Sequence, residues 1–97
     1  MKSGYLIVDT KINDPIAYEE YKKLAKPIVE RFGGEYMARG GALYIDQSDL
    51  WTPTRLVVIK FDSVEKVKSF LSCKEYQLVK SIRLDAARST AVILEGT

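Results

Sequence analysis

Ninety-seven residues, 46% hydrophobic and 29% charged, have the make-up of one ordinary globular domain. Its core must be small, because a chain this short buries only about 60–65% of its unfolded surface. Fifteen basic and thirteen acidic residues leave a net charge of +2, and they are interleaved, as in EEYKKLAK and SVEKVKSF, so no basic stripe for nucleic acid exists. The chain has no histidine and a single cysteine, Cys73. Ser–His–Asp and Cys–His catalysis are therefore excluded, along with internal disulfides and the usual ligands of zinc and iron. No acidic cluster has the spacing of a carboxylate cage, and FGGE and RGGA lack a phosphate-loop pattern, so neither metal nor cofactor is expected. MKSGYLIVDT is too short an apolar run for a signal peptide, and no stretch approaches the ~20 apolar residues of a membrane span. A soluble, cytoplasmic protein is expected.

In chain order, GYLIVDT (Gly4 to Thr10) reads as a strand, being short, apolar and rich in β-formers. Asp14 is a good N-cap and Pro15 suits the first helical turn. A helix to about Phe32 is predicted, with Ala17, Tyr21, Leu24, Ile28 and Phe32 on its apolar stripe. Pro27 should kink it, and one glycine of Gly33–Gly34 should take the left-handed cap. EYMARGGALYI (Glu35 to Ile45) reads as one long second strand with a glycine pair inside it. DQSDLWTPT is a polar loop carrying the only tryptophan, Trp51. RLVVIKF (Arg55 to Phe61) is a near-continuous apolar run, as in a central strand buried on both faces. Asp62 with Glu65, and Ser72 with Glu75, read as two helix starts. Helices are predicted over about 63–71, using Val64, Val67, Phe70 and Leu71, and about 73–87, using Tyr76, Val79, Ile82 and Ala86. TAVILEG is the last strand.

The order is β-α-β-β-α-β with the second helix broken in two. That is the split βαβ unit of the ferredoxin-like sandwich, a four-stranded antiparallel sheet with helices on one face, within a single domain over residues 1–97. Yet the strands are apolar on both faces. Tyr5 and Ile7 oppose Leu6 and Val8, and Val92 and Leu94 oppose Ala91 and Ile93. An uncovered apolar sheet face would exceed what monomers usually expose, so a twofold homodimer packed sheet to sheet is expected.

The segments NDPIAYEEYKKLAKPIVERFGGEYMARGG and DLWTPTRLVVIKFDSVEKVKSFLSCKEYQLVKSIRLDAA resemble domain-of-unknown-function family 1330, in the dimeric α+β-barrel superfamily. The likeness runs over nearly the whole chain. It rests on the Asp-Pro helix start with Tyr18 and Tyr21, the Arg39-Gly40-Gly41 triplet, RLVVIKF, and EYQ followed by Lys80 and Arg83. It implies the fold and the homodimer and supplies no function. Superfamily relatives include cofactor-free monooxygenases, muconolactone isomerases and dehydratases, an analogy of fold alone. Those that use a histidine cannot be copied here.

Candidate ligand-binding residues are Arg39, Gly40, Gly41, Tyr18, Tyr21 and Trp51. Arg39 is a solvated or dimer-rim arginine, or a clamp for a small organic anion. Gly40 and Gly41 fit a bulge that re-aims Arg39, or a close approach to backbone. Tyr18 and Tyr21 share a helix face, either as amphipathic core edge or as a phenolic pocket wall. Trp51 closes a pocket or seals the dimer. Lys80 and Arg83, three apart on one face of the last helix, read as solvated surface rather than ligand contacts, and Cys73 as a small buried or half-buried thiol rather than a nucleophile. Two classes remain: a homodimeric enzyme or binding protein for an anionic or carbonyl-bearing molecule, and a non-catalytic dimeric module.

Overall fold

The computed structural model describes residues 2–97 as β1 (Gly4–Ile12), α1 (Pro15–Arg31), β2 (Glu35–Arg39), β3 (Leu56–Phe61), α2 (Val64–Ser72), α3 (Lys74–Ala86) and β4 (Ala87–Glu95). The sheet is antiparallel in the order β2-β3-β1-β4, the ferredoxin-like arrangement. The molecule is a slab of 33 × 32 × 18 Å. Its thin dimension matches one helical layer on one sheet, which leaves the other sheet face without a covering layer.

The pleat decides which residues enter the core. Leu6, Val8 and Thr10 of β1 and Val57, Ile59 and Phe61 of β3 are buried beneath the helices. Tyr5, Ile7 and Asp9, with Leu56, Val58 and Lys60, face the open side and are half-buried. β3 is thus a central strand as expected, but within this chain only its helix-side face is fully buried. On β4, Val92 is 50% and Leu94 54% exposed, and the register sets them opposite Ile7 and Tyr5 on the open side.

α1 starts where Asp14 accepts a hydrogen bond from the Ala17 N–H at 3.1 Å, with Pro15 following, and it stops before Gly33 at φ +79°. Its buried stripe is Tyr18, Ala25, Ile28 and Val29, so the expected stripe through Ala17 and Leu24 is rotated. Leu24 is 42% exposed, because α1 must meet both the sheet and α3 and turns Tyr18, not Ala17, into that wedge. Both later helices begin one residue after the expected caps. Ser63, not Asp62, caps α2 by accepting from the Lys66 N–H at 3.2 Å, and Cys73, not Ser72, caps α3 through Sγ and the Tyr76 N–H at 3.4 Å. In both cases the side chain that reaches the third N–H belongs to the last extended residue.

The second strand departs most from expectation. It ends at Arg39, and no strand continues to Ile45. Its bulge lies between Tyr36 and Ala38, at Met37, rather than at the glycine pair. Gly40 still donates to the Leu56 carbonyl at 2.9 Å, and its left-handed φ of +75° then turns the chain away into the loop leading to Arg55.

Candidate functional site

The side chains with chemical potential converge between the sheet and the helices α1 and α3. Three guanidiniums, Arg39 from the end of β2, Arg55 from the residue just before β3 and Arg83 from the last turn of α3, line one cavity of about 30 Å³. Tyr18, Tyr21, Tyr36 and Tyr76 line it too, and the floor is core residues such as Leu6 and Ile59. No carboxylate is among the lining residues. None of the three arginines forms an ion pair with a carboxylate among the described residues, whereas the lining Lys22 pairs outward with Glu19 at 3.2 Å.

Each guanidinium is held in its own way. Arg39 donates to the Lys22 carbonyl at 2.9 Å and lies 4.3 Å over the Tyr36 ring. Arg55 donates to the Tyr18 hydroxyl at 3.1 Å and passes so close to Gly40 that a Cβ there would stand 2.6 Å from its Nε. Gly40 therefore serves by leaving room for Arg55, while a Cβ on Gly41 would meet nothing within 4 Å. Arg83 is only 5% exposed; it donates to the Ser89 hydroxyl, and its buried Nε has no acceptor among the described residues. Its expected place on the solvated surface is thus overturned. The last turn of α3 carries it inward beside Ala86 and Tyr76, which are buried on the same helix. The helix C-terminal dipole offsets at most about 2 kcal/mol. Burial of an uncompensated cation costs several kcal/mol, so the position calls for water or an anion.

The hydroxyls of Tyr21 and Tyr76 are 2.9 Å apart. Burial, reinforced by the Tyr76 phenol, pushes the Tyr21 hydroxyl far above the ordinary tyrosine range, while Arg83 pulls the other way. Tyr21 is therefore a neutral donor or acceptor at any ordinary pH, and not a base. Burial also raises Tyr36, against the pull of Arg39.

Trp51 is not part of this cavity. It lies on the open side of the sheet, where its indole N–H donates to Asp9 at 2.9 Å. Asp9 also accepts from the Thr54 and Arg55 N–H groups at 2.9 and 3.0 Å. Partial burial pushes its carboxyl up, but the bonds from Arg55, Trp51 and Thr54 outweigh this and hold it below the usual range. Beside this clasp is a broad apolar depression of about 460 Å³, with Ile7, Trp51, Leu56 and Val92 in its walls. Sequence reasoning brought Tyr18, Tyr21 and Arg39 to one place. It missed Arg55, Arg83, Tyr76 and Asp9, although Arg83 and Tyr76 stand seven apart on one helix, a spacing of two turns that signals a shared face.

Residues 3–97 match the family described as Domain of unknown function (DUF1330). The chain belongs to this family. Among curated proteins none matches it. Among solved structures it is similar to a protein of unknown function from Rhodopseudomonas palustris, at 17% identity and a TM-score of 0.73, over 99% of this chain and 83% of that one. It is also similar to a cofactor-independent oxygenase from Streptomyces nogalater, at 9% identity and a TM-score of 0.69, over 97% of this chain and 92% of that one. A dimeric protein of unknown function with a ferredoxin-like fold from Bacteroides fragilis matches at 14% identity and a TM-score of 0.62, covering 96% and 95% of the two chains. At these identities the likeness establishes the ferredoxin-like fold of this DUF1330 chain and nothing about its chemistry. Among its described residues no cluster of metal-ligating side chains stands together, and no helix is long and apolar enough to cross a membrane.

Proposed function

We propose that this DUF1330 protein is a homodimer that binds, and in the fuller case acts on, a small organic anion bearing a carbonyl, in the cavity between the sheet and helices α1 and α3. One observation carries the reading: three arginines face a single cavity that has no carboxylate in its lining. A guanidinium with no internal counter-ion is a ready partner for a carboxylate, which it holds through paired N–H groups. Arg39, Arg55 and Arg83 would hold the acid, and Tyr18 and Tyr21 would supply hydroxyls. Any catalysis would rest on polarising a carbonyl or enolate, as no imidazole exists to relay protons.

The homodimer would form through the open sheet face. Val92 and Leu94 are half exposed there, Trp51 is 57% exposed beside them, and a ferredoxin-like relative is described as dimeric. Two such faces packed together would remove an apolar patch that water would otherwise cover.

Calorimetric titration with small carboxylates tests the reading. Saturable binding by the native protein is expected, weakened at least tenfold in Arg39→Ala with fold and dimer intact. A native protein that takes up none of them would overturn it. A second reading, a non-catalytic dimeric module, has one observation in its favour. A cavity of about 30 Å³ admits about two waters, so a ligand must displace an arginine or a tyrosine to enter.

A further inference from the structure

The polar groups of the cavity are unequal, and the inequality bears on what the ligand is. Arginine and lysine only donate hydrogen bonds. Lys22 is paired with Glu19, while Arg39 donates to the Lys22 carbonyl and Arg55 to the Tyr18 hydroxyl, each through one of its five N–H groups, so both are partly satisfied and keep donors for a ligand. Arg83 alone keeps a buried N–H with no acceptor, on a side chain 5% exposed. The cavity lining therefore includes a buried guanidinium with one N–H still lacking an acceptor.

The Tyr21–Tyr76 pair presents something different. Two hydroxyls 2.9 Å apart carry two protons, and only one of them can lie between the oxygens. The other proton needs an acceptor, and among the described residues neither hydroxyl has a second partner. Donation along the pair also polarises the outer O–H and strengthens it as a donor. Arg83, Tyr21 and Tyr76 line the same cavity, and Arg83 and Tyr76 are buried on the same helix two turns apart, so the cationic and neutral donors face one enclosed space.

Resting on the anion-binding reading above, we infer that the ligand is a small 2-oxo carboxylate, its carboxylate on Arg83 and its adjacent carbonyl oxygen on the Tyr21–Tyr76 hydroxyl pair. Such an acid carries acceptor oxygens on neighbouring carbons, matching a guanidinium beside a phenol. A cavity of about 30 Å³ favours the shortest acids, because each added carbon requires further movement of the lining side chains. With neither carboxylate nor imidazole in its lining, the cavity polarises that carbonyl without a base to remove the neighbouring proton.

Pyruvate and propionate make the test, having three carbons and one carboxylate each and differing at the carbonyl. Their affinities are measured by calorimetry on the native protein, on Tyr21→Phe, on the double variant Tyr21→Phe/Tyr76→Phe, and on Arg83→Gln. The native protein should bind pyruvate at least tenfold more tightly than propionate. The phenylalanine variants should lose that preference and keep their affinity for propionate, and Arg83→Gln should lose both ligands. Equal binding of the two acids by the native protein would overturn the 2-oxo assignment and leave the anion site standing. Binding of neither would overturn both. A preference that survives in the phenylalanine variants would remove the tyrosine pair from the assignment. Comparing the two acids on the native protein needs no variant to fold.

Discussion

The guanidinium of Arg39 lies 4.3 Å over the ring of Tyr36, three residues earlier on the same strand. Strict alternation would set residues three apart on opposite faces of the sheet. The bulge at Met37 inserts one residue, so that Tyr36 pairs with Ile59 and Arg39 with Val57, both on the helix side. The bulge thus brings Arg39 to the cavity, while Gly40 ends the strand behind it. Arg39→Ala is expected to cost no more than about 1 kcal/mol of stability, since its ring contact is partly exposed, yet to weaken carboxylate binding at least tenfold. Thermal melts beside calorimetry check this. A large fall in melting temperature with unchanged binding would make Arg39 structural.

The two glycines should behave differently. Gly40→Ala places a Cβ against Arg55 and at φ +75°, so it should displace Arg55 from Tyr18 and cost about 1–2 kcal/mol. Gly41→Ala meets nothing and should be neutral within about 0.5 kcal/mol. Urea denaturation of the two variants decides it.

Asp9 ties the loop to the sheet through Trp51, Thr54 and Arg55. Its carboxyl is held below its ordinary value of 3.8, so its stabilisation is present above that pH and is lost as pH falls through the lower, folded value. Fluorescence of Trp51, the only tryptophan, should report release of the loop in that acid range. Asp9→Asn should show the released signal already at neutral pH. Identical acid profiles for the two proteins would dismiss the clasp.

Tyr21 gives the opposite sign. Its folded pKa is raised above the unfolded value of 10.0, so its stabilising effect is complete below pH 10 and declines as pH rises beyond it. Tyr21→Phe should flatten the alkaline loss of stability. In the native protein, ultraviolet titration should leave at least one of the six tyrosines un-ionised until the fold is lost.

Val92→Lys probes the proposed dimer. Val92 is on the open face, 50% exposed, opposite Ile7. The charge should leave the single chain folded and shift light scattering from dimer to monomer mass. A native protein that is monomeric at micromolar concentration and binds no hydrophobic dye would end the sheet-to-sheet reading.

Local chemistry carried the element order. Asp14 with Pro15, the glycine after Phe32, and the apolar run of Leu56 to Phe61 each act through neighbours in sequence, so their signals are legible without a fold. The alternation in β1 likewise announced two apolar faces. What the sequence could not decide were matters of parity and burial. A one-residue bulge at Met37 reverses which face Arg39 occupies, and its position depends on the ladder with β3, which is distant in the chain. The need for glycine at position 40 follows in part from the room Arg55 takes, fifteen residues on. The inward turn of Arg83 depends on α3 packing against α1 and β4, which no charge pattern announces. The chain alone determined a ferredoxin-like sandwich with tyrosines and an arginine near one helix. Only tertiary packing gathered Arg39, Arg55 and Arg83 around a cavity without a carboxylate, because the strands and helix that carry them meet only in the folded chain.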